Sequence, residues 1–177
     1  LKDMPSDGLA VLLNIGSLSS SLVVWGSGQQ YFTRELNVGG HQFIKEIVNK
    51  KNVSYMEAQD IFFKEGVLSI SKKSDEENVA GLGVAERSVY DNLIEDLRRS
   101  LRFYAKQTGQ SFFLKILLTG GAASTPGLAD LISSKLNIDS AILNPFEGVD
   151  GSDDVSIENP SQYTLAMGLC IRAGMEE

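Results

Sequence analysis

Cysteine is almost missing from this chain. Its one thiol, Cys170, excludes an internal disulfide and fits a reducing compartment. Histidine is as scarce: His41 stands alone, so no zinc site can be built from His and Cys ligands. No Lys/Arg-rich run occurs and the formal net charge is -7, which argues against a broad nucleic-acid surface. Long apolar runs are missing too. The longest, Phe112 to Leu118, is short and broken by Lys115, so no membrane-spanning helix is expected. No secretory signal peptide is visible. A nucleophile elbow, a Walker loop and a dinucleotide fingerprint are all lacking, as are internal repeats and low-complexity tracts.

What is present is a globular composition, 42% hydrophobic and 22% charged over 177 residues. That suits one domain or two small subdomains with a core that needs no staples. The chain starts at Leu1 rather than methionine and its first residues read as a connector, which predicts a piece of a longer protein. Cys170 lies in an apolar helical stretch and reads as a buried, inert thiol.

Periodicity sets the element order. Leu9 to Ile15 is an apolar run closed by Gly16, a buried strand. Leu22 to Trp25 is a second strand, Gly26-Ser27-Gly28 a turn, and Gln30 to Leu36 a returning strand. After Gly39-Gly40 a helix carries Phe43, Ile44, Ile47 and Val48 on one face. Ser54 and Glu57 form a capping box for a helix ending near Glu65. A polar loop over 69–83 precedes a long helix marked by Val89, Leu93, Leu97, Leu101 and Tyr104. Phe113 to Leu118 is a strand running into Thr119-Gly120-Gly121. Thr125 with Pro126 predicts a helix start, Ala141 to Leu143 a short strand, and 148–154 a loop. Asn159 with Pro160 predicts the cap of a last helix, ending at Gly174. Three strands, helices, then alternating strand and helix describe an α/β mixed sheet with flanking helices.

Two segments can carry chemistry. Leu13 to Ser21 is a strand end, Gly16, and then Ser17, Ser19 and Ser20. A glycine there lets a phosphate approach the backbone, with amides and hydroxyls as donors, although a plain β-turn has the same composition. In Leu117 to Leu128 a strand enters Gly120-Gly121-Ala122-Ala123-Ser124 ahead of a helix. Small residues admit a flat ligand and a helix N-terminus favours anions, although a plain strand-to-helix connection looks the same. Gly39-Gly40 alone is a turn. His41 reads as structural or solvated. Glu86, Asp91, Glu95 and Asp96 with Arg98, Arg99 and Arg102 read as the solvated face of the long helix.

In order along the chain, these pieces resemble the PilM family of type IV pilus assembly proteins and its relative FtsA. They are Asn14-Ile15-Gly16, Val38-Gly39-Gly40, Tyr55-Met56-Glu57-Ala58-Gln59 and the run Glu95 to Tyr104 (Glu-Asp-Leu-Arg-Arg-Ser-Leu-Arg-Phe-Tyr). Leu118-Thr119-Gly120-Gly121, Pro126-Gly127-Leu128, Asn144-Pro145-Phe146 and Ala166-Met167-Gly168-Leu169 follow. The resemblance implies an actin-like ATPase (ribonuclease H-like) fold, of which this chain is the second lobe only. Residues 1–40 and 110–177 would form the sheet-bearing subdomain and 41–109 an inserted, mostly helical one.

The resemblance also implies a site for ATP with magnesium. It would be shared between lobes, with Gly16, Ser17, Ser19, Ser20, Gly39, Gly40, Gln59, Phe62, Gly120, Gly121, Ala122 and Ser124 on this side and no metal ligand directly. Asn14 stands where the family usually has the aspartate that holds a metal-bound water. An amide carries no charge for magnesium and is a poor base. Gln59 and Phe62 stand where the family tends to place Glu and Lys near the ribose and adenine. These departures imply at most a weak ATPase, and an isolated lobe without activity. The implied role is a cytoplasmic scaffold, peripheral at the bacterial inner membrane. Its partner would be an inner-membrane pilus assembly protein of the PilN type, met through the missing first lobe; self-association stays open, and no nucleic acid is expected. The alternative is a degenerate adaptor of a type II secretion or related system that no longer binds ATP.

Overall fold

The computed structural model describes residues 8–26, 31–71, 87–151 and 156–175. Five strands form one sheet: β1 (Leu9–Ile15), β2 (Ser20–Gly26), β3 (Phe32–Leu36), β4 (Phe113–Thr119) and β5 (Ser140–Ile142). Their order is β3-β2-β1-β4-β5. β1 runs antiparallel to β2 and parallel to β4, β2 antiparallel to β3, and β4 parallel to β5. Central β1 is apolar at every position but Asn14 because it has a strand on each side and helices over one face; Leu9, Ala10, Val11, Leu13 and Ile15 are all buried.

Leu9, Val11, Leu13 and Ile15 alternate onto one face of the sheet, where the helices pack. Helix α1 (Gly40–Lys51) contributes Phe43, Ile44 and Ile47, and α2 (Tyr55–Glu65) contributes Ala58 and Phe62. Helix α4 (Val89–Thr108) contributes Leu93, Leu97, Leu101 and Tyr104, and α5 (Leu128–Leu136) contributes Leu128 and Ile132. All join one core. Phe43 lies between Phe62 and Tyr90, with ring centroids at 5.8 and 4.4 Å. The α2 capping box forms as the sequence predicts: Ser54 N donates to Glu57 Oε2 at 2.9 Å and Glu57 N donates to Ser54 Oγ at 3.3 Å.

Several boundaries differ from expectation. β3 begins at Phe32, while residues 27–30 of the expected turn and strand lie outside the described residues. The start of the expected 69–83 loop is a short helix, α3 (Leu68–Ser71); residues 72–86 lie outside the description, as do 152–155 of the later loop. Helix α5 starts at Leu128 after Gly127, not at Pro126, because Thr125 Oγ1 turns back to donate to Ala122 O at 2.7 Å. Asn159 does not cap a helix with its side chain. A 3₁₀ turn, Pro160–Tyr163, comes first, and α6 (Thr164–Met175) follows, one residue past Gly174. Cys170 is exposed rather than buried, with Leu165, Leu169 and Ile171 exposed beside it. No described helix is long and apolar enough to cross a membrane.

Candidate functional site

β1 and β4 are parallel neighbours, Asn14 opposite Thr119, so both chains leave the sheet at the same edge. β1 then leads toward β2 on one side and β4 toward β5 on the other. A sheet whose connections part in this way opens a crevice at the carboxyl ends of its strands. Here the crevice is a cavity of about 300 Å³. Its floor is Gly16, Ser17, Gly40, Gly121 and Ala122, and one wall is the α2 face of Tyr55, Gln59, Phe62 and Phe63. His41, Ile44, Asn159 and Gln162 complete it.

Close backbone approach makes the floor. Gly120 has φ +92°, and a Cβ there would lie 2.5 Å from Ile15 O and 2.7 Å from Asn14 Oδ1. A Cβ on Gly39 would lie 2.7 Å from Ser17 O. With side chains absent, Ala122 N donates to Ile15 O at 3.2 Å, Gly40 N to Gly16 O at 2.9 Å and His41 N to Ser17 O at 2.8 Å. Three separate turns are thereby stitched into one surface. Gly16 N is committed to Ser19 O at 3.0 Å. Among the described residues, the amides of Ser17 and Leu18 and the Ser17 hydroxyl have no protein partner, and they are the donors left for a ligand at this turn.

The structure brings Gly16, Ser17, Gly40, Gln59, Phe62, Gly121 and Ala122 together around the cavity. The other expected residues do not line it. Asn14 Oδ1 accepts from Thr119 Oγ1 at 3.3 Å, Ser19 Oγ donates to Glu35 Oε1 at 2.9 Å, and Ser20 Oγ donates to Val38 O at 2.5 Å. Gly39 and Gly120 set the close approaches. Ser124 Oγ donates to Asn159 Oδ1 at 2.6 Å.

Asn159 and Ser161 are well-connected residues that sequence reasoning missed as site residues. Asn159 Nδ2 donates to Gly121 O at 3.2 Å, while Ser161 Oγ donates to Asn159 Oδ1 at 2.9 Å. Gly120 N in turn donates to Ser161 O at 3.0 Å. The segment ahead of α6 therefore holds the Gly120-Gly121 turn in place. His41, Tyr55, Phe63 and Gln162 were missed as well. His41 Nδ1 and the Tyr55 hydroxyl are hydrogen-bonded at 3.0 Å, joining α1 to α2 at the rim.

Among the described residues, no Asp, Glu, Lys or Arg side chain lines the cavity. Aromatic rings, carboxamides and small residues suit a neutral, flat, hydrogen-bonding ligand, such as a base and its ribose, with phosphates held by amides and hydroxyls. The same lining does not suit a cation: among the described residues no carboxylate lines the cavity and no cluster of three His, Cys, Asp or Glu side chains occurs.

Comparison with known proteins identifies the fold and the family. A solved PilM-PilN type IV pilus biogenesis complex matches at TM-score 0.74 and 25% identity, covering 94% of this chain and 46% of that one. The archaeal actin homolog Ta0583 in complex with ADP matches at TM-score 0.57 and 16% identity, covering 95% of this chain and 50% of that one. The ethanolamine utilization protein EutJ of Carboxydothermus hydrogenoformans matches at 0.56 and 16%, covering 92% and 48%. The fold is thus actin-like, and the chain spans about half the length of these relatives. Residues 1–174 match the family model described as type IV pilus assembly protein PilM. The chain belongs to the PilM family of type IV pilus assembly proteins.

Proposed function

We propose that this chain is the second, nucleotide-binding lobe of a PilM-like scaffold, and that a purine nucleotide fixes its angle to the first lobe. The observation that carries the reading is the cavity itself: Gly16 and Gly121, 105 residues apart in sequence, share one floor beneath an aromatic and carboxamide wall. ADP complexes of actin-like relatives support the choice of ligand class. In this reading the base lies toward Tyr55, Gln59 and Phe63, and phosphates lie toward Ser17 and Leu18. Asn14 replaces a carboxylate and is tied to Thr119, so turnover is slow or absent. Magnesium, if it accompanies ATP, takes no ligand directly from this lobe. The nucleotide acts by population shift, stabilising the closed lobe arrangement in proportion to its preference for it. The partner is a protein of the PilN type, as in the PilM-PilN complex; in this reading it sits in the inner membrane and the scaffold works against that membrane from the cytoplasm.

A second reading, an adaptor that keeps the fold and has lost the ligand, draws on the committed amides of Gly16, Gly40 and His41. Thermal unfolding of the intact protein separates the two. ATP at millimolar concentration with magnesium raises Tm by several degrees if the site binds, since ligand at 100 times Kd adds about 2.7 kcal/mol. Gly121→Leu, which places a side chain where the cavity is open, abolishes the shift. A wild-type Tm that does not respond to ATP decides for the adaptor.

A further inference from the structure

The face of α4 turned away from the core carries a pattern that nucleotide binding leaves unexplained. Leu97, Leu101 and Tyr104 serve the core. Arg99, Phe103 and Lys106, spaced i, i+4 and i+7, form a separate stripe on the same helix, and all three are exposed. The Phe103 ring lies 6.0 Å from Phe32 on β3, so the stripe faces that strand. β3 is the end strand of the sheet, and Arg34 shares the face of Phe32 two residues on. Arg34 and Lys106 have no ion-pair partner among the described residues, and Arg99 has only the exposed contact to Glu95 at 3.3 Å. A helix C-terminus favours Lys106. It does not call for a phenylalanine 47% exposed, nor for an arginine on the neighbouring strand.

We propose that the outer edge of β3, which pairs with no further strand among the described residues, together with the Arg99–Phe103–Lys106 stripe, docks an extended acidic segment of another protein by strand addition. An end strand offers unpaired backbone amides and carbonyls to an incoming strand. Alternate side chains of that strand would face α4, an apolar one against Phe103 and acidic ones beside Arg34 and Lys106. Charge decides the partner. The protein carries a net charge of -7, yet the α4-side face of this edge sets Arg34, Arg99 and Lys106 against Glu95, while Glu35 alternates onto the other face of β3. A second copy pairing edge to edge in the register centred on Arg34, which keeps both sets of helices on one side, would bring Arg34 against Arg34, so the charge that admits an acidic strand disfavours that self-pairing.

The test is selection of random dodecapeptides on phage against the intact protein, with counter-selection on an Arg34→Glu variant. The recovered peptides should alternate Asp or Glu with aromatic or branched residues. They should bind Arg34→Glu and Phe103→Ala at least tenfold more weakly and lose affinity as salt is raised. N-methylation of alternate peptide amides should abolish binding in one of the two registers. Lys106→Glu, at an exposed position, keeps the test valid if Phe103→Ala fails to fold. Peptides without acidic excess, binding indifferent to Arg34→Glu, or equal binding of both N-methylated registers would overturn the proposal. So would a concentration-dependent mass in sedimentation that Arg34→Glu removes, since a second copy would then occupy the edge.

Discussion

At the scale of single residues, neighbouring glycines separate fold from site. Gly120 combines φ +92° with backbone oxygen 2.5 Å from any added Cβ, whereas Gly121 has nothing within 4 Å. Gly120→Ala should therefore destabilise by roughly 2–3 kcal/mol in urea unfolding, from conformational strain and displacement of the Ile15 carbonyl. Gly121→Ala should stay within about 0.5 kcal/mol of wild type, so any loss of nucleotide binding in that variant reads on the cavity and not on folding. Equal costs would show that the two turns do not abut as described. Tyr90 offers a test of the opposite sign. Burial, with the Glu46 charge adding to it, pushes its phenol far above the usual range, and its hydroxyl has no hydrogen-bond partner among the described residues. Tyr90→Phe keeps the stack on Phe43 and removes an unsatisfied group, so stability should be unchanged or rise by up to about 1 kcal/mol. A clear loss would reveal a partner for that hydroxyl.

Among the elements, α2 ties sequence to site most directly, because its capping box aims the wall of Tyr55, Gln59 and Phe63 at the cavity. The Ser54 backbone amide, followed by the Ser54 hydroxyl, holds the Glu57 carboxyl below its ordinary value of 4.5. A carboxyl whose pKa is lower folded than unfolded stabilises above the unfolded value, and that contribution is lost as pH falls through the folded one. The advantage of wild type over Glu57→Gln should thus be full at neutral pH and vanish on the acid side of 4.5, followed by thermal unfolding across pH. An advantage that persists in acid would place its origin elsewhere. Ser54 and Glu57 were legible because a capping box is local: three residues fix it. The glycine-lined strand ends were legible for the same reason. Asn159 was not. Its partners Gly121 and Ser124 lie 38 and 35 residues away, and next to Pro160 an asparagine reads as a turn or cap from sequence alone. His41, Tyr55 and Phe63 were unreadable likewise, since they meet the floor only after α1 and α2 pack together.

For the whole molecule, the sheet order that places β1 beside β4 turns two weak glycine signals into one site. Parallel pairing carries Gly16 and Gly120 to one edge, and periodicity alone never states which strands are neighbours. The same limit explains Cys170. Read locally, α6 is apolar and belongs in a core. In the folded chain it packs mainly on the 3₁₀ turn before it, and Leu165, Leu169 and Ile171 stay exposed. This arrangement makes a firm prediction. Leu165→Glu and Leu169→Glu remove little buried surface, so each should change stability by less than about 0.5 kcal/mol and raise solubility. Cys170 in the native chain should react with Ellman's reagent nearly as fast as in the unfolded chain, because no described residue shields the thiol. If the thiol reacts only after denaturant is added, or if Leu169→Glu costs several kcal/mol, then α6 folds back against the uncovered face of the sheet. Gly121 would then be gripped from the sheet side as well as by Asn159, and the cavity floor would be more rigid than the hydrogen bonds of Asn159 and Ser161 alone make it.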